Sequence, residues 1–370
     1  MSCWQNNIDT FPHSTFNWIS LDGSQVLCHM PPSETYTADA HFGDVKRSVS
    51  QHKSLDQDNT SLLVFGKGDG GGGPTMEQLE KLRRCRGISD TVGLLPRVHL
   101  GNSVDEFFSN LEKKELAGNK FVTWYGELYL EFHRGTYTTQ SKNKKGNRRS
   151  EVLMKDLEML AAYASVQTNY VYPKQEIDDM WEDICLMQFH DCLPGSCIEM
   201  VYRDTDRMYA ALFKQGARII DEASEALGYF SKPGRDTVPR IVNTHPWPRT
   251  EVVKIPKDAI ANGEFYQQTI NGCDDTYILA RDVPGTGVGI ICPADATFSC
   301  ATARQEANGW FVLQNNTIKA TIEGGAIISL IFLPQGREVI PEGKKANQLV
   351  IYDDKPIYWQ AWDVEVYHFE

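Results

Sequence analysis

The sequence lacks several of the signals that would place a chain quickly. Its N-terminus, Met1-Ser2-Cys3-Trp4-Gln5-Asn6-Asn7, has neither the charged nor the apolar segment of a secretory leader. No apolar run is long enough to cross a bilayer as a helix. The nine cysteines include no CxxC pair, which excludes zinc ribbons and thioredoxin-like redox sites. Their odd number and irregular spacing point away from a disulfide framework and toward reduced, buried thiols. The excess of positive charge that a general nucleic-acid binder requires is missing as well, because the formal net charge is -12. Glycosylation-type triplets occur at Asn59 and Asn315, with no secretory route to support them.

What is present is a chain of 370 residues with ordinary globular composition and three textures. Residues 1–119 open on a polar, aromatic-rich stretch, Asn7 to Trp18, that reads as a loop belonging to a larger structure. A hairpin over Ser20 to His29 follows, turning at Asp22-Gly23. Ser61 to Phe65 reads as a short buried strand, and the glycine-rich stretch Gly66 to Pro74 as a loop. Thr75 and Gln78 form the capping-box pattern of a helix start. Arg97 to Leu100 and Ser103 to Leu111 add a strand and a helix, so the order is that of an α/β barrel or a doubly wound sheet.

Residues 120–234 read as helical. One helix is expected after Ser150, a second over Ile177 to His190 and a third over Thr205 to Leu227, together a small bundle. Residues 235–370 carry short β-type runs split by Gly, Pro, Asn and Asp, the pattern of a β-sandwich-like domain. They end in a strand signal over Tyr358 to Tyr367. The fold class is therefore multidomain α+β.

Three places carry side chains suited to chemistry. His190-Asp191, before Leu193-Pro194-Gly195, offers an imidazole that can ligate a metal and a carboxylate that can accept from sugar hydroxyls. The same pair also suits a helix terminus, with the histidine on the last carbonyls. Asp69, followed by four glycines, is either a carboxylate presented at the end of a strand or a solvated turn. No Walker or dinucleotide-binding spacing surrounds it. Tyr125 to Tyr137 mixes aromatic, acidic and basic side chains, Arg134 and Tyr137 among them, as sugar-gripping surfaces do and as half-buried strands also do. The basic run Lys142 to Arg149 reads as a solvated loop, or else as a site for phosphate or an acidic partner.

Five blocks in series, Asn7–His13, Gly68–Thr75, Glu127–Thr138, Gln188–Ser196 and Asp354–Asp363, resemble glycoside hydrolase family 38, the class II α-mannosidases, in its cytosolic and fungal vacuolar branch. The resemblance implies a catalytic α/β barrel, of which residues 1–119 would be a remnant, then a helical middle domain and β-sandwich domains. It implies hydrolysis of terminal α-D-mannose residues from oligosaccharides by a zinc-dependent retaining mechanism. His190 would be one Zn2+ ligand, while Asp191, Tyr137 and Arg134 would contact the sugar. Asp69 would be the candidate general acid, although Asp69-Gly70 stands where other branches carry two consecutive acids. The family's His-x-Asp zinc pair does not occur in this sequence, and its nucleophilic aspartate precedes the first block. The expectation is a piece truncated at both ends, inactive alone, with an incomplete zinc site. A compartment that is cytoplasmic or vacuolar follows from the branch, and a homo-oligomer stays open. The competing reading is a non-catalytic carbohydrate-binding or scaffold protein derived from the same fold.

Overall fold

The computed structural model describes residues 11–128, 133–229, 240–256, 267–269, 275–290 and 301–365, which fall into two compact units, Met1–Arg134 and Gly135–Glu370. In the first unit a three-stranded sheet is built around β1 (Thr15–Ile19), which pairs antiparallel with β2 (Gln25–His29) and parallel with β3 (Val122–Tyr125). The hairpin forms about Asp22-Gly23 as expected, and Gly23 takes the positive φ of +87° that its turn requires. Its first strand, however, lies in the stretch expected to be a loop. Thr15 and Phe16 are fully buried, and their segment is held by the Ser54 hydroxyl, which accepts from the amides of Ser14 and Thr15 at 3.1 Å each. The aromatic residues that suggested an exposed loop are sheet and core: Phe16 packs with Met30, flanked by Phe11, Trp18 and Trp124. Residues Asn7 to Thr10 lie outside the described residues.

Helices α1 (Phe42–Ser50), α2 (Met76–Val92) and α3 (Val104–Leu116) complete this unit. The capping box on α2 is present, with the Thr75 side chain accepting from the Gln78 amide and the Gln78 side chain from the Thr75 amide. Leu82 and Cys85 of α2 pack with Val45 of α1 and with Ala40 and Leu95. Two expected strands do not form. Ser61 to Phe65 contributes a single parallel bridge, Phe65 to Ala38, and the Leu62 amide is taken by the His29 ring instead of a ladder. Arg97, His99 and Leu100 are exposed while Val98 packs against the cluster of Leu82 and Cys85, and the segment, paired with no strand among the described residues, stays irregular.

In the second unit α4 (Ser141–Gln167), α5 (Lys174–Met187) and α6 (Glu199–Ala226) form the bundle. Its core is Met154, Leu157, Ala161, Ile177, Met180, Ile184, Met187, Tyr209, Leu212 and Ile219, each aliphatic side chain there stabilising by roughly 1.5–3 kcal/mol. α4 and α6 approach closely, because a Cβ on Gly146 would lie 2.7 Å from the Tyr209 ring. Three boundaries differ from expectation. α4 starts before Ser150, so the basic run Lys142 to Arg149 is helix and not loop. Several of its cations are individually engaged: Lys142 pairs with Asp206, Arg148 with Glu151, and Arg149 lies over the Phe213 ring. α6 starts at Glu199 and not Thr205. α5 stops at Met187, which leaves His190 and Asp191 beyond the helix.

The rest of this unit is β structure in small antiparallel sheets: β4 (Arg240–Asn243) with β8 (Gly287–Ile290), and β5 (Arg249–Pro256) with β7 (Asp275–Val283), which also pairs with β6 (Gln267–Thr269). A five-stranded meander follows: β9 (Thr302–Gln305), β10 (Phe311–Gln314), β11 (Ile318–Glu323), β12 (Ala326–Phe332) and β13 (Arg337–Glu338). The strand signal over Tyr358 to Tyr367 is not realised where it is described. Residues 357–362 are bends and turns, Trp359 and Ala361 take positive φ, and residues 366 and 367 lie outside the described residues. The architecture is mixed α/β, with helices and several small sheets. Among the described residues no helix is long and apolar enough to cross a membrane.

Candidate functional site

The segment Gln188 to Cys197 is the turn that leaves α5, and its shape comes from side chains beneath it. The Gln188 side-chain amide donates to Asn147 Oδ1 of α4 at 2.8 Å, anchoring the point where the helix ends. Cys192 and Leu193 amides return to the Phe189 carbonyl at 2.8 and 3.0 Å. Asn143, buried, donates through Nδ2 to the Cys192 carbonyl at 3.0 Å. The Lys144 ammonium donates to the carbonyls of Thr139, Leu193 and Pro194 at 2.6, 2.9 and 3.0 Å. Burial pulls the Lys144 amine below the usual lysine range. The Tyr202 hydroxyl accepts from the Cys197 amide at 2.8 Å, and burial pushes its phenol up to about 12.

On this footing stand His190 and Asp191. His190 Nε2 lies 3.3 Å from Asp191 Oδ2, with the two side chains 77% and 45% exposed. The Phe189 ring tilts against the imidazole at 4.7 Å between centroids. Asp191 Oδ1 accepts from the Ser196 hydroxyl at 3.3 Å, and the carboxylate stays partly open to solvent.

Two further segments meet this turn. Gly195 has φ of +98°, and a Cβ there would lie 2.6 Å from the Thr139 carbonyl oxygen, so the Pro194-Gly195 turn rests directly on Thr139. Thr139 follows the 3-10 turn Arg134–Tyr137, whose last residue, Tyr137, is 66% exposed. The Gly135 amide donates to the Trp362 carbonyl at 2.7 Å, and Thr139 Oγ1 donates to Gly135 and Ala361 carbonyls at 2.7 and 3.2 Å. Trp359 and Trp362 stack at 5.6 Å, and Tyr358 and Trp359 remain largely exposed. Three segments about fifty or more residues apart in sequence thus share one backbone junction.

Asp69 and Arg134 belong to the first unit. Asp69 is exposed in the glycine-rich loop, where the Tyr36 hydroxyl donates to its Oδ1 at 3.5 Å. Burial and this carboxylate push the Tyr36 phenol up. The loop closes on itself through the Lys67 amide and the Gly73 carbonyl at 2.8 Å, and Gly70 reaches φ of +94° inside it. Arg134 is half-buried at the start of its 3-10 turn. Its preceding residues 129–132 lie outside the described residues.

A catalytic zinc needs three protein ligands on one centre. Among the described residues no group of three His, Cys, Asp or Glu side chains could hold a metal ion, so His190 and Asp191 do not make a zinc site by themselves. Sequence reasoning missed Asn143, Lys144, Thr139 and Trp362, which work through backbone carbonyls. One signal was available for Lys144: cations in the first turns of a helix oppose its dipole and call for partners elsewhere.

The order of segments and the fold define a class, and comparison with known proteins agrees with it. The family model for the glycosyl hydrolases family 38 N-terminal domain matches residues 3–127, the alpha mannosidase middle domain matches residues 131–227, and the glycosyl hydrolases family 38 C-terminal domain matches residues 313–370. The chain belongs to glycoside hydrolase family 38. Among curated relatives it is 42% identical to the alpha-mannosidase of Saccharomyces cerevisiae over 366 residues, 98% of this chain and 31% of that protein. It is 38% identical to alpha-mannosidase 2C1 of Homo sapiens over 99% of this chain and 34% of that protein. The chain therefore spans about a third of the length of these relatives. In fold it resembles the crystal structure of an alpha-mannosidase from Enterococcus faecalis, with a TM-score of 0.55 at 15% identity, covering 88% of this chain and 43% of that one.

Proposed function

We propose that this chain carries part of an α-mannosidase that removes terminal α-D-mannose residues from oligosaccharides, and that the 188–197 turn is its sugar-facing surface. The observation that carries the reading is the backbone junction of the three segments bearing Tyr137, His190-Asp191 and Trp359-Trp362. An exposed carboxylate beside exposed aromatic rings is the composition that binds sugars, through hydrogen bonds to hydroxyls and stacking on the apolar ring face. Asp191 and Tyr137 are assigned these contacts, and Arg134, in the first unit, is assigned a sugar contact on the family resemblance. Residues 1–119 are read as part of a catalytic α/β barrel, residues 120–234 as a helical middle domain and residues 235–370 as the start of a β-sandwich region.

The chemistry proposed is retaining double displacement, in which one carboxylate attacks the anomeric carbon and a second protonates the departing oxygen. Asp69 is assigned the acid role, and no described residue is assigned as nucleophile. Zn2+, when bound to a complete ligand set, polarises the sugar hydroxyls. His190 is the residue proposed as one of its ligands. The proposed compartment is cytoplasmic or vacuolar.

The test is calorimetric titration of the purified chain with methyl α-mannoside, with methyl α-glucoside as control. Binding of the mannoside alone, lost at least tenfold in Asp191→Asn, supports the reading. Equal binding of both sugars, or none, sinks it. The same preparation is expected to release no nitrophenol from 4-nitrophenyl α-mannoside and to hold less than one zinc per chain by elemental analysis. Robust zinc-dependent turnover would show that a nucleophile and further ligands lie within this chain.

A further inference from the structure

We propose that Lys144 is a positioning residue, a tripod whose ammonium fixes the Tyr137 segment and the His190-Asp191 turn against one another. The proposal rests on the reading of these segments as the sugar-facing surface. An ammonium has three donors. Those of Lys144 go to the carbonyls of Thr139, Leu193 and Pro194, which belong to two segments about fifty residues apart in the chain. Among the described residues no carboxylate shares the contact, so it is a set of hydrogen bonds to backbone and not an ion pair. The lysine itself stands on a fixed base. α4 is locked to α6 by Gly146 against the Tyr209 ring, two residues from Lys144. Asn143, its buried neighbour, takes the Cys192 carbonyl in the same turn.

Thr139 extends the clasp to the third segment. Its carbonyl accepts from Lys144 while its hydroxyl donates to Ala361, and the Pro194-Gly195 turn rests on that same carbonyl. Moving the ammonium would therefore free both backbone segments at once without touching a side chain that meets sugar. A cation near the start of a helix opposes the helix dipole, yet here it carries two charge-assisted ties to the 188–197 turn and one to Thr139.

The experiment compares Lys144→Met, Lys144→Gln and Lys144→Arg in the 370-residue chain. Amide hydrogen exchange is followed by segment, and methyl α-mannoside affinity by calorimetry. Lys144→Met is expected to speed exchange at least tenfold in 135–139 and 188–197 while the helix amides at Leu157, Ile184 and Ile219 keep their protection. Its mannoside affinity falls about tenfold. Lys144→Gln, with donors but no charge, falls between, and Lys144→Arg restores most of the protection and affinity. Exchange that stays unchanged in either segment overturns the clasp. So does a rise spread evenly through the bundle, which would mark a general folding role, or an arginine variant as loose as the methionine one. Faster exchange with undiminished affinity overturns the positioning role. If the unmodified chain binds no methyl α-mannoside, the sugar reading fails and the exchange measurements alone decide the clasp.

Discussion

Gly195 is the residue on which the candidate site is least tolerant. Its backbone sits at φ of +98°, and an added Cβ would stand 2.6 Å from a carbonyl oxygen that Lys144 already holds in place. Gly195→Ala combines left-handed strain with a backbone clash, a loss on the order of 1–3 kcal/mol. A urea titration is expected to show a lower midpoint with an unchanged slope. His29 makes a different prediction. It is buried, its Nε2 accepts from the Leu62 amide, and its Nδ1 is 2.9 Å from Thr15 Oγ1. Burial, then the neighbouring His52, pull its pKa from 6.5 to about 3. The folded state thus binds fewer protons than the unfolded one between those values. Stability should be full above pH 6.5 and fall toward pH 3, by up to about 1.4 kcal/mol per pH unit. Equilibrium unfolding across that range should show the slope, and His29→Gln should flatten it. An equally steep slope in His29→Gln would assign the effect to other groups. At this scale the family resemblance singled out His190 and Asp191, a pair whose own chemistry suits a helix terminus. It could not name Asn143 or Lys144, because a side chain that binds carbonyls leaves no mark on the residues it binds.

Elements whose cause is local were legible in the sequence. The start of α2 was readable to the residue because Thr75 and Gln78 satisfy each other within one turn. Thr75→Ala is expected to cost about 1 kcal/mol and to raise exchange in the first turn of α2 only. The start of α4 was not readable. Its N-cap, Gln140, is left-handed and offers no side-chain cap, and the first two turns are supported by Asp206, Phe213 and the distant Leu193 and Pro194 carbonyls, which engage their cations. Strands failed for a related reason: Arg97 to Leu100 has the right residues but no partner strand among the described residues, whereas β1 looked like a loop and is buried on both sides of its sheet. Packing between elements yields a sharper prediction. A glycine inside a helix ordinarily weakens it, and Gly→Ala gains about 1 kcal/mol. Gly146→Ala in α4 should do the reverse, because the new methyl meets the Tyr209 ring at 2.7 Å. Overpacking of this kind costs about 1–3 kcal/mol, so a lower thermal midpoint is expected, and a higher one would show that the ring moves aside freely.

Across the whole molecule, the succession of textures and the five sequence blocks were enough to reach the family, because each block keeps its own residues in order whatever its surroundings. Which blocks touch was not legible. The meeting of the Tyr137, Asp191 and Trp362 segments depends on contacts between residues as far apart as Thr139 and Ala361, and no periodicity encodes such a pair. The pairing of β1 with β3 is of the same long-range kind, and it bears on biosynthesis. β1 is the middle strand, yet one of its two edges stays open until residues more than about a hundred positions later have been made. While the nascent chain emerges from the ribosome, the hairpin of β1 and β2 therefore exposes an unpaired strand edge carrying Phe16 and Trp18. Parallel pairings of this span are slow to close. The interval before Val122–Tyr125 arrives is when this chain is most exposed to chaperones and to aggregation with its neighbours.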